Sequence, residues 1–213
     1  MNRLILFSAF ASLLLASCNK KDDFTFHTDL AIDSRFIILD APADTTKIVV
    51  YSDHAWTMEN MDSAPWITVL KGSGTGTAYG IVKVAANTTN FARASTLLFK
   101  SGSKTDTLKL GQRGIIAPTL NIVATSLSST AAGGPVSTAV TTNLPFNVMS
   151  VIYTYDANGT NWISNPAITN NMLTFTVDLN TAAIARSGKI FLSYSDILGT
   201  VVTDSLQINQ AKQ

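Results

Sequence analysis

The stretch Leu108-Lys109-Leu110-Gly111-Gln112 decides the fold class of this 213-residue chain. Its leucines alternate with a lysine, and alternation of apolar and polar residues indicates a β-strand with one buried face. The pattern returns 98 positions later as Leu206-Gln207-Ile208-Asn209-Gln210. Short apolar runs broken by polar turns fill the sequence between and before these stretches. We therefore expect an all-β protein without a long helix.

Other landmarks recur in the same order in the two halves. They are an aromatic residue at the start of a strand, a tryptophan–isoleucine pair, and an asparagine–threonine step with an arginine six residues after the asparagine. The copies are Trp56 and Phe146, Trp66-Ile67 and Trp162-Ile163, and Asn87-Thr88 with Arg93 and Asn180-Thr181 with Arg186. The nearly constant offset predicts two tandem domains, residues 30–114 and 115–213. Each has the size of an immunoglobulin-like sandwich of about seven strands.

These landmarks resemble those of the BACON domain, a small β-sandwich found mostly in secreted proteins of Bacteroidetes. The resemblance covers most of the chain after residue 29, in two copies. The second copy departs from the pattern at Phe146 and in a segment, Tyr153 to Gly159, that we interpret as an insertion. The resemblance implies two tandem immunoglobulin-like β-sandwiches. The family name implies carbohydrate binding, with a spacer role as an equally open alternative.

The N-terminus predicts export. Met1-Asn2-Arg3 carries one positive charge, an apolar run from Leu4 to Leu15 follows, and Cys18 comes directly after Ala16-Ser17. This layout is typical of a secretory signal peptide, and the run is shorter than the ~20 residues that span a bilayer. It resembles a bacterial lipobox, which implies that residues 1–17 are removed and that Cys18 is lipidated. An ordinary signal peptide with an incidental cysteine is the alternative.

Residues 18–29 are expected to be the lipidated cysteine and a charged tether. Lys21-Asp22-Asp23 resembles the surface-export signal of Bacteroidetes lipoproteins, which implies an outer-membrane anchor with the protein facing outward. The expected partners are the membrane, through the lipid, a polysaccharide or other glycan, and other envelope proteins. The formal net charge of +1 argues against nucleic acid, which requires a strongly basic face.

No pattern in the sequence indicates catalysis. A glycosidase needs two carboxylates that face each other, and the acidic residues here sit mainly in turns and in the tether, with Glu59 the only glutamate. Asp53 and His54 are adjacent, so on a strand their side chains would point in opposite directions. Cys18 is the only cysteine, and no metal-ligand spacing occurs. We expect no enzyme activity, no metal and no cofactor.

A glycan site would need exposed aromatic faces beside hydrogen-bonding groups. The segment from Tyr153 to Gly159 combines such residues and ends in a turn signal, and loops often carry function. The candidate ligand-binding residues are Tyr153, Tyr155, Asp156, Asn158 and Trp162. The alternative is an extended hairpin whose tyrosines pack on the neighbouring strand. The aromatic residues expected to be structural are Trp56, Trp66 and Phe146, because recurrence between repeats favours a role in the fold.

Together these patterns predict a non-catalytic lipoprotein of the cell envelope that binds or presents carbohydrate. The alternative is a structural spacer or an adhesion module that contacts other proteins through sheet edges or loops, with no sugar site.

Overall fold

The computed structural model describes residues 27–213 of the chain. The predicted signal peptide and Cys18 lie outside the described residues, as does most of the predicted tether. The described residues form seventeen β-strands and one short 3₁₀ helix, which confirms the all-β prediction. Within this range we find no helix with the length and apolar character needed to cross a membrane.

The first nine strands form two sheets that pack face to face, which we call the N-terminal sandwich. The strands are β1 (Ala31–Ile32), β2 (Phe36–Leu39), β3 (Asp44–Tyr51), β4 (Ala55–Asn60), β5 (Ile67–Lys71), β6 (Ser73–Thr75), β7 (Ala78–Val84), β8 (Arg93–Ser101) and β9 (Lys104–Gln112). One sheet has the order β1-β3-β7-β5 and the other β2-β9-β8-β4-β6. Neighbouring strands are antiparallel except β2 and β9, which are parallel.

Alternation along each strand places one apolar face in the core. In β9, Leu108 and Leu110 are fully buried, while Lys109 between them is exposed. Leu108 and Leu110 pack in one cluster with side chains from both sheets, because the core of a sandwich is made by the inner faces of its two sheets. The cluster consists of Ile48, Val50, Trp56, Met58, Ile67, Val82, Val84, Leu97, Phe99, Leu108 and Leu110.

The remaining strands form a second pair of sheets, the C-terminal sandwich. Its elements are β10 (Leu120–Ile122), β11 (Ser126–Ser129), β12 (Gly134–Thr142), the 3₁₀ helix (Phe146–Val148), β13 (Ser150–Tyr155), β14 (Ile163–Thr169), β15 (Met172–Val177), β16 (Arg186–Ser195) and β17 (Val201–Gln210). The sheet orders are β10-β12-β15-β14 and β11-β17-β16-β13, and β11 runs parallel to β17 as β2 does to β9. A separate core holds Ile122, Val140, Trp162, Ile163, Leu173, Phe175, Val177, Ile190, Leu192, Leu206 and Ile208.

The two sandwiches differ at the strand that carries the early aromatic residue. Phe146 begins the 3₁₀ helix rather than a strand. Met58 of β4 is paired with Phe99, and Val151 of β13 with Leu192, so β13 is the counterpart of β4. Tyr153, paired with Ile190, is the counterpart of Asn60, paired with Leu97, whereas Thr154 and Tyr155 extend β13 past the end of β4. The interpretation of Tyr153–Gly159 as an insertion is therefore wrong for Tyr153, and the next two residues, Thr154 and Tyr155, are strand rather than loop.

The strand β6 has no counterpart in the C-terminal sandwich. After β5, the chain passes through β6, which pairs with the start of β4, before it enters β7. After β14, the chain instead turns directly into β15 at Asn170 and Asn171, which both have positive φ. Two consecutive residues with positive φ suit a tight hairpin turn, and asparagine tolerates that conformation better than most residues. The edge of β13 is consequently left open in the described chain.

The β16–β17 hairpin brings the two sandwiches into contact. Its turn, residues 196–200, lies against β9, where Lys109 Nζ donates a hydrogen bond to the Ile197 carbonyl oxygen at 3.0 Å. A Cβ atom at Gly111 would overlap the Leu198 side chain, so this leucine packs where only glycine leaves room. The rings of Phe91 and Tyr194 meet nearby, with centroids 6.4 Å apart.

Candidate functional site

The recurring landmarks form a hydrogen-bonded network in the N-terminal sandwich. The Arg93 guanidinium donates from Nε and Nη2 to Gln112 Oε1, at 3.0 and 2.7 Å, and lies 4.5 Å from the centre of the Trp66 ring. Gln112 is fully buried and its amide donates to the carbonyl oxygens of Ala41 and Pro42. The network thus ties the loop before β3 and the start of β8 to the closing strand β9.

The C-terminal sandwich repeats the network. Arg186 Nε donates to Gln210 Oε1 at 2.7 Å, and the guanidinium lies 4.7 Å from the centre of the Trp162 ring. The Gln210 amide donates to the carbonyl oxygens of Thr130, Ala131 and Asp178. The same partners in the same roles explain why arginine, glutamine and tryptophan recur at these positions.

The recurring asparagines complete the network. Asn87 and Asn180 are each only 1% exposed. The Asn87 amide donates to the carbonyl oxygens of Phe91 and Arg113, and the Asn180 amide donates in the same way to those of Ile184 and Ala211. Buried polar groups are stable only when hydrogen-bonded, and these side chains have their partners inside the protein. We assign the network to the fold.

The predicted ligand-binding tyrosines lie side by side on β13. Tyr153 and Tyr155 are half-buried and pack against the C-terminal core, with nearly parallel rings whose centroids are 6.3 Å apart. The Tyr155 hydroxyl donates to the Ile163 carbonyl oxygen at 3.4 Å. Burial raises the pKa of both phenols, so both remain protonated at neutral pH. Both rings occupy the inner face of the strand, since Ile152 and Thr154 project outward.

The polar residues of the predicted site hold the loop after β13. Asp156 accepts hydrogen bonds from the backbone N–H of Asn158 at 2.9 Å and from the backbone N–H and hydroxyl of Ser187. Slight burial acts to raise the pKa of Asp156, but these hydrogen bonds outweigh it and lower the pKa. The Asn158 amide donates to the Ala185 carbonyl oxygen at 3.4 Å. These groups have partners within the protein.

Trp162 packs against Tyr155 and Arg186. It is 2% exposed, its ring centroid is 5.6 Å from that of Tyr155, and its indole N–H has no hydrogen-bond acceptor in the described chain. The structure therefore brings the five predicted residues into one cluster at the end of β13. A ligand-binding role for this cluster stays a prediction; Asn158 is exposed, and the two tyrosines are half-buried.

The aromatic residues expected to be structural all contact a core. Trp56 is 2% exposed, covers Gly74, and donates from its indole N–H to the Gly76 carbonyl oxygen at 3.0 Å. Trp66 and Phe146 are half-buried and pack against the N-terminal and C-terminal clusters, respectively. Among residues 27–213, no three histidine, cysteine, aspartate or glutamate side chains are grouped so that they could hold a metal ion.

Comparison with known proteins gives one family match. Residues 54–113 match the family model BACON, described as "Putative binding domain, N-terminal". No protein of curated function matches the chain at a significant level. The match begins just before β4 and ends just after β9. It therefore includes Trp66, Asn87, Arg93 and Gln112, which form the network of the N-terminal sandwich.

Three solved structures that match the chain do so at low identity and with TM-scores below 0.4. A GH5 xyloglucanase from Bacteroides ovatus, solved with a heptasaccharide, is 21% identical with a TM-score of 0.37, over 46% of this chain and 21% of that chain. The titin domains Z1Z2 in complex with telethonin are 9% identical with a TM-score of 0.31, over 88% of this chain and 98% of that chain. An endo-fucoidan hydrolase of glycoside hydrolase family 107 is 12% identical with a TM-score of 0.31, over 84% of this chain and 28% of that chain.

Similarities of this size carry no argument about what the chain binds. The chain spans about a fifth of the xyloglucanase and just over a quarter of the fucoidan hydrolase, so the activities of those enzymes are not transferred. The family model rests on a defined stretch of sequence and is the more specific finding. This all-β chain thus contains a match to the BACON family at residues 54–113, within the N-terminal sandwich.

Proposed function

We propose that this chain is a non-catalytic glycan-binding protein of the cell surface, held on the outer membrane by a lipid on Cys18. The observation that carries the proposal is the match of residues 54–113 to a family described as a binding domain. The family's name implies that the ligand is a carbohydrate. The lone cysteine directly after an apolar N-terminal run supports the lipid anchor, and Lys21-Asp22-Asp23 behind it supports the outward orientation.

The local contacts of four described acidic residues support a non-catalytic role. Glu59 is on an exposed strand face and forms an ion pair with Lys100. Asp106 pairs with Arg35 at 3.2 Å, and Asp156 and Asp196 accept backbone hydrogen bonds within their own loops. Glycosidases place two carboxylates about 5–10 Å apart across an open cleft. Each of these four carboxylates instead has at least one local partner.

A rigid spacer is the second candidate function. The buried Trp56 and Trp162 favour it, because a tryptophan inside a core cannot stack on a sugar. The contact between Leu198 and Gly111 also favours it, since it docks the two sandwiches against each other. As a spacer, the chain would hold another envelope protein at a set distance from the membrane.

A glycan array separates the two functions. We would probe it with protein that starts at Asp29, which retains every described strand, and with the variants Tyr153→Ala and Tyr155→Ala. Tyr79→Ala is the matched control, because this tyrosine is 52% exposed on the other sandwich. Retention of a defined glycan supports the proposal, and loss in the β13 variants but not in the control places the site at the cluster. Silence across the array would refute glycan binding and favour the spacer.

Cell fractionation tests the anchor. Replacement of Cys18 by serine is expected to abolish incorporation of labelled fatty acid and to release the protein from the membrane fraction, because the lipid supplies the attachment. Protease treatment of intact cells is expected to remove the sandwiches from the wild-type protein. Complete protection from the protease would contradict exposure on the outer face.

A further inference from the structure

A cleft of about 260 Å³ lies where the two sandwiches meet. The linker, residues 114–118, lines one side together with Arg113 at the end of β9. Tyr194 at the end of β16 and Asp196 and Thr200 in the β16–β17 turn line the other side. Ligand sites occur preferentially at such domain junctions, because concave surfaces form there without disturbing either core.

Tyr194 is the residue that sets this cleft apart. Its side chain as a whole is only 6% exposed, it lines the cleft, and its hydroxyl forms no hydrogen bond with residues 27–213. Among the described residues, only the Trp162 indole N–H is a fully buried side-chain polar group without a partner, so the Tyr194 hydroxyl keeps contact with solvent and can be reached by a ligand. Burial and, second, the charge of Asp196 raise its pKa, which keeps the hydroxyl protonated as a donor. Because Tyr194 lines the cleft, its accessible hydroxyl can donate a hydrogen bond to a molecule bound there.

Two charged residues of the cleft, Arg113 and Asp196, have hydrogen-bonding atoms without a partner in the described chain. The Arg113 guanidinium has one ion pair, from Nε to Asp40 Oδ1 at 3.6 Å, so its two Nη groups have no partner within the described range. Asp196 Oδ1 accepts the backbone N–H groups of Leu198 and Thr200 at 2.9 and 2.8 Å. Its Oδ2 accepts no hydrogen bond from the described residues. The cleft thus combines unused donors and an unused acceptor.

This combination selects a class of ligand. An anion would be attracted by Arg113 but repelled by Asp196, and a cation would be attracted by Asp196 but repelled by Arg113. A neutral molecule with several hydroxyl groups satisfies both, because each hydroxyl can donate to a carboxylate and accept from a guanidinium or a phenol. Ile115, Ile116 and Pro118 add an apolar wall. The volume is below the ~300 Å³ at which drug-sized pockets begin, so the ligand is small.

We propose that this cleft binds one sugar ring of a glycan, with Arg113, Tyr194 and Asp196 as its hydrogen-bonding residues. The inference rests on the proposed function and places its specificity at the junction rather than at the aromatic cluster on β13. Neither sandwich alone contains the site. The contact of the β16–β17 turn with β9, through Leu198 and Gly111, holds its two walls together.

The test is a titration of isotope-labelled protein, from Asp29 onward, followed by NMR chemical shifts. The probes are free glucose, galactose, mannose, xylose, fucose and N-acetylglucosamine, with sodium sulfate as the anionic probe. We expect one or more sugars to shift the amide signals of the linker and of the β16–β17 turn. Tyr194→Phe is expected to weaken binding about 2- to 10-fold, the equivalent of one neutral hydrogen bond, and Arg113→Gln about 10- to 100-fold.

Stability provides a readout that a merely structural tyrosine would not give. Because the Tyr194 hydroxyl has no partner in the protein, Tyr194→Phe is expected to leave the melting temperature unchanged or to raise it, while binding weakens. Tyr79→Phe, the control, lies outside the cleft lining and is expected to change neither property. A clear loss of stability in Tyr194→Phe would show that the hydroxyl is already satisfied internally and would overturn the assignment.

Other outcomes have distinct meanings. Sugar binding that survives in both cleft variants overturns the cleft while leaving the proposed function intact. Shifts with sulfate alone overturn the neutral ligand, and no shift with any probe means that the cleft holds only water. A silent glycan array refutes the proposed function itself, and the sugar assignment with it.

Discussion

Replacement of Asn87 by alanine tests whether the recurring network stabilises the fold. Its side chain makes four hydrogen bonds: two from the amide, to Phe91 and Arg113, and two to its oxygen, from the backbone N–H and hydroxyl of Thr89. A hydrogen bond contributes about 0.5–1.5 kcal/mol net, and a buried group left without a partner costs about 1–3 kcal/mol. Thr89 is exposed and can turn to water, which reduces the loss on its side. We therefore expect a loss of about 2–4 kcal/mol.

The assay is unfolding in guanidinium chloride, followed by tryptophan fluorescence. Asn121→Ala is the matched control, because Asn121 is exposed on β10 and its side chain makes no hydrogen bond in the described structure. Asn180→Ala, at the equivalent position, is expected to lower the stability of the C-terminal sandwich by a similar amount. Surface substitutions usually change stability by less than about 0.5 kcal/mol. If Asn87→Ala does not exceed that range, the assignment of the network to stability is wrong.

Three further predictions follow from single contacts. Gly111→Asn is expected to push Leu198 off β9, so scattering should report a larger radius of gyration while both sandwiches stay folded; an unchanged radius would contradict the contact. Because the pKa of Asp156 is lowered in the folded state, its carboxylate contributes stability that is fully present above pH ~4 and is lost as the pH falls through the folded-state pKa. Asp156→Asn is therefore expected to flatten the acid side of a plot of unfolding free energy against pH. An unaltered plot would contradict this role of Asp156. Trp56→Phe is expected to cost about 1 kcal/mol more than Trp162→Phe, because only the Trp56 indole N–H has a hydrogen-bond partner; equal losses in thermal unfolding would argue otherwise.

The landmark residues show how far local pattern reaches. The alternation in Leu108-Lys109-Leu110 predicts a half-buried strand because side-chain direction in a strand has a period of two. The repeat spacing of Arg93 and Arg186 could likewise be read from the sequence. What these arginines contact could not, because Gln112 and Gln210 reach them only through the pairing of adjacent strands, 19 and 24 residues later.

The composition of the segment from Tyr153 to Gly159 predicts a candidate site, but it does not predict the hydrogen bonds within that site. Tyrosine, aspartate and asparagine in one segment are compatible with a sugar site and equally with a self-contained turn. Asp156 reaches Ser187, 31 residues away, and this contact decides that its carboxylate stabilises the loop. The place of Tyr153 on a strand follows from its pairing with Ile190, which no local pattern specifies.

The sequence by itself determined the all-β class, the repeated landmarks and the prediction of an anchored N-terminus, because these depend on residues that are close in the chain. Only the tertiary structure decided which polar side chains are hydrogen-bonded within the protein and which keep donors or acceptors available to a ligand. Arg113 and Tyr194 are separated by a whole sandwich in sequence, and no motif links them. They share a cleft because Leu198 packs on Gly111, a contact between two folded units rather than a property of either segment.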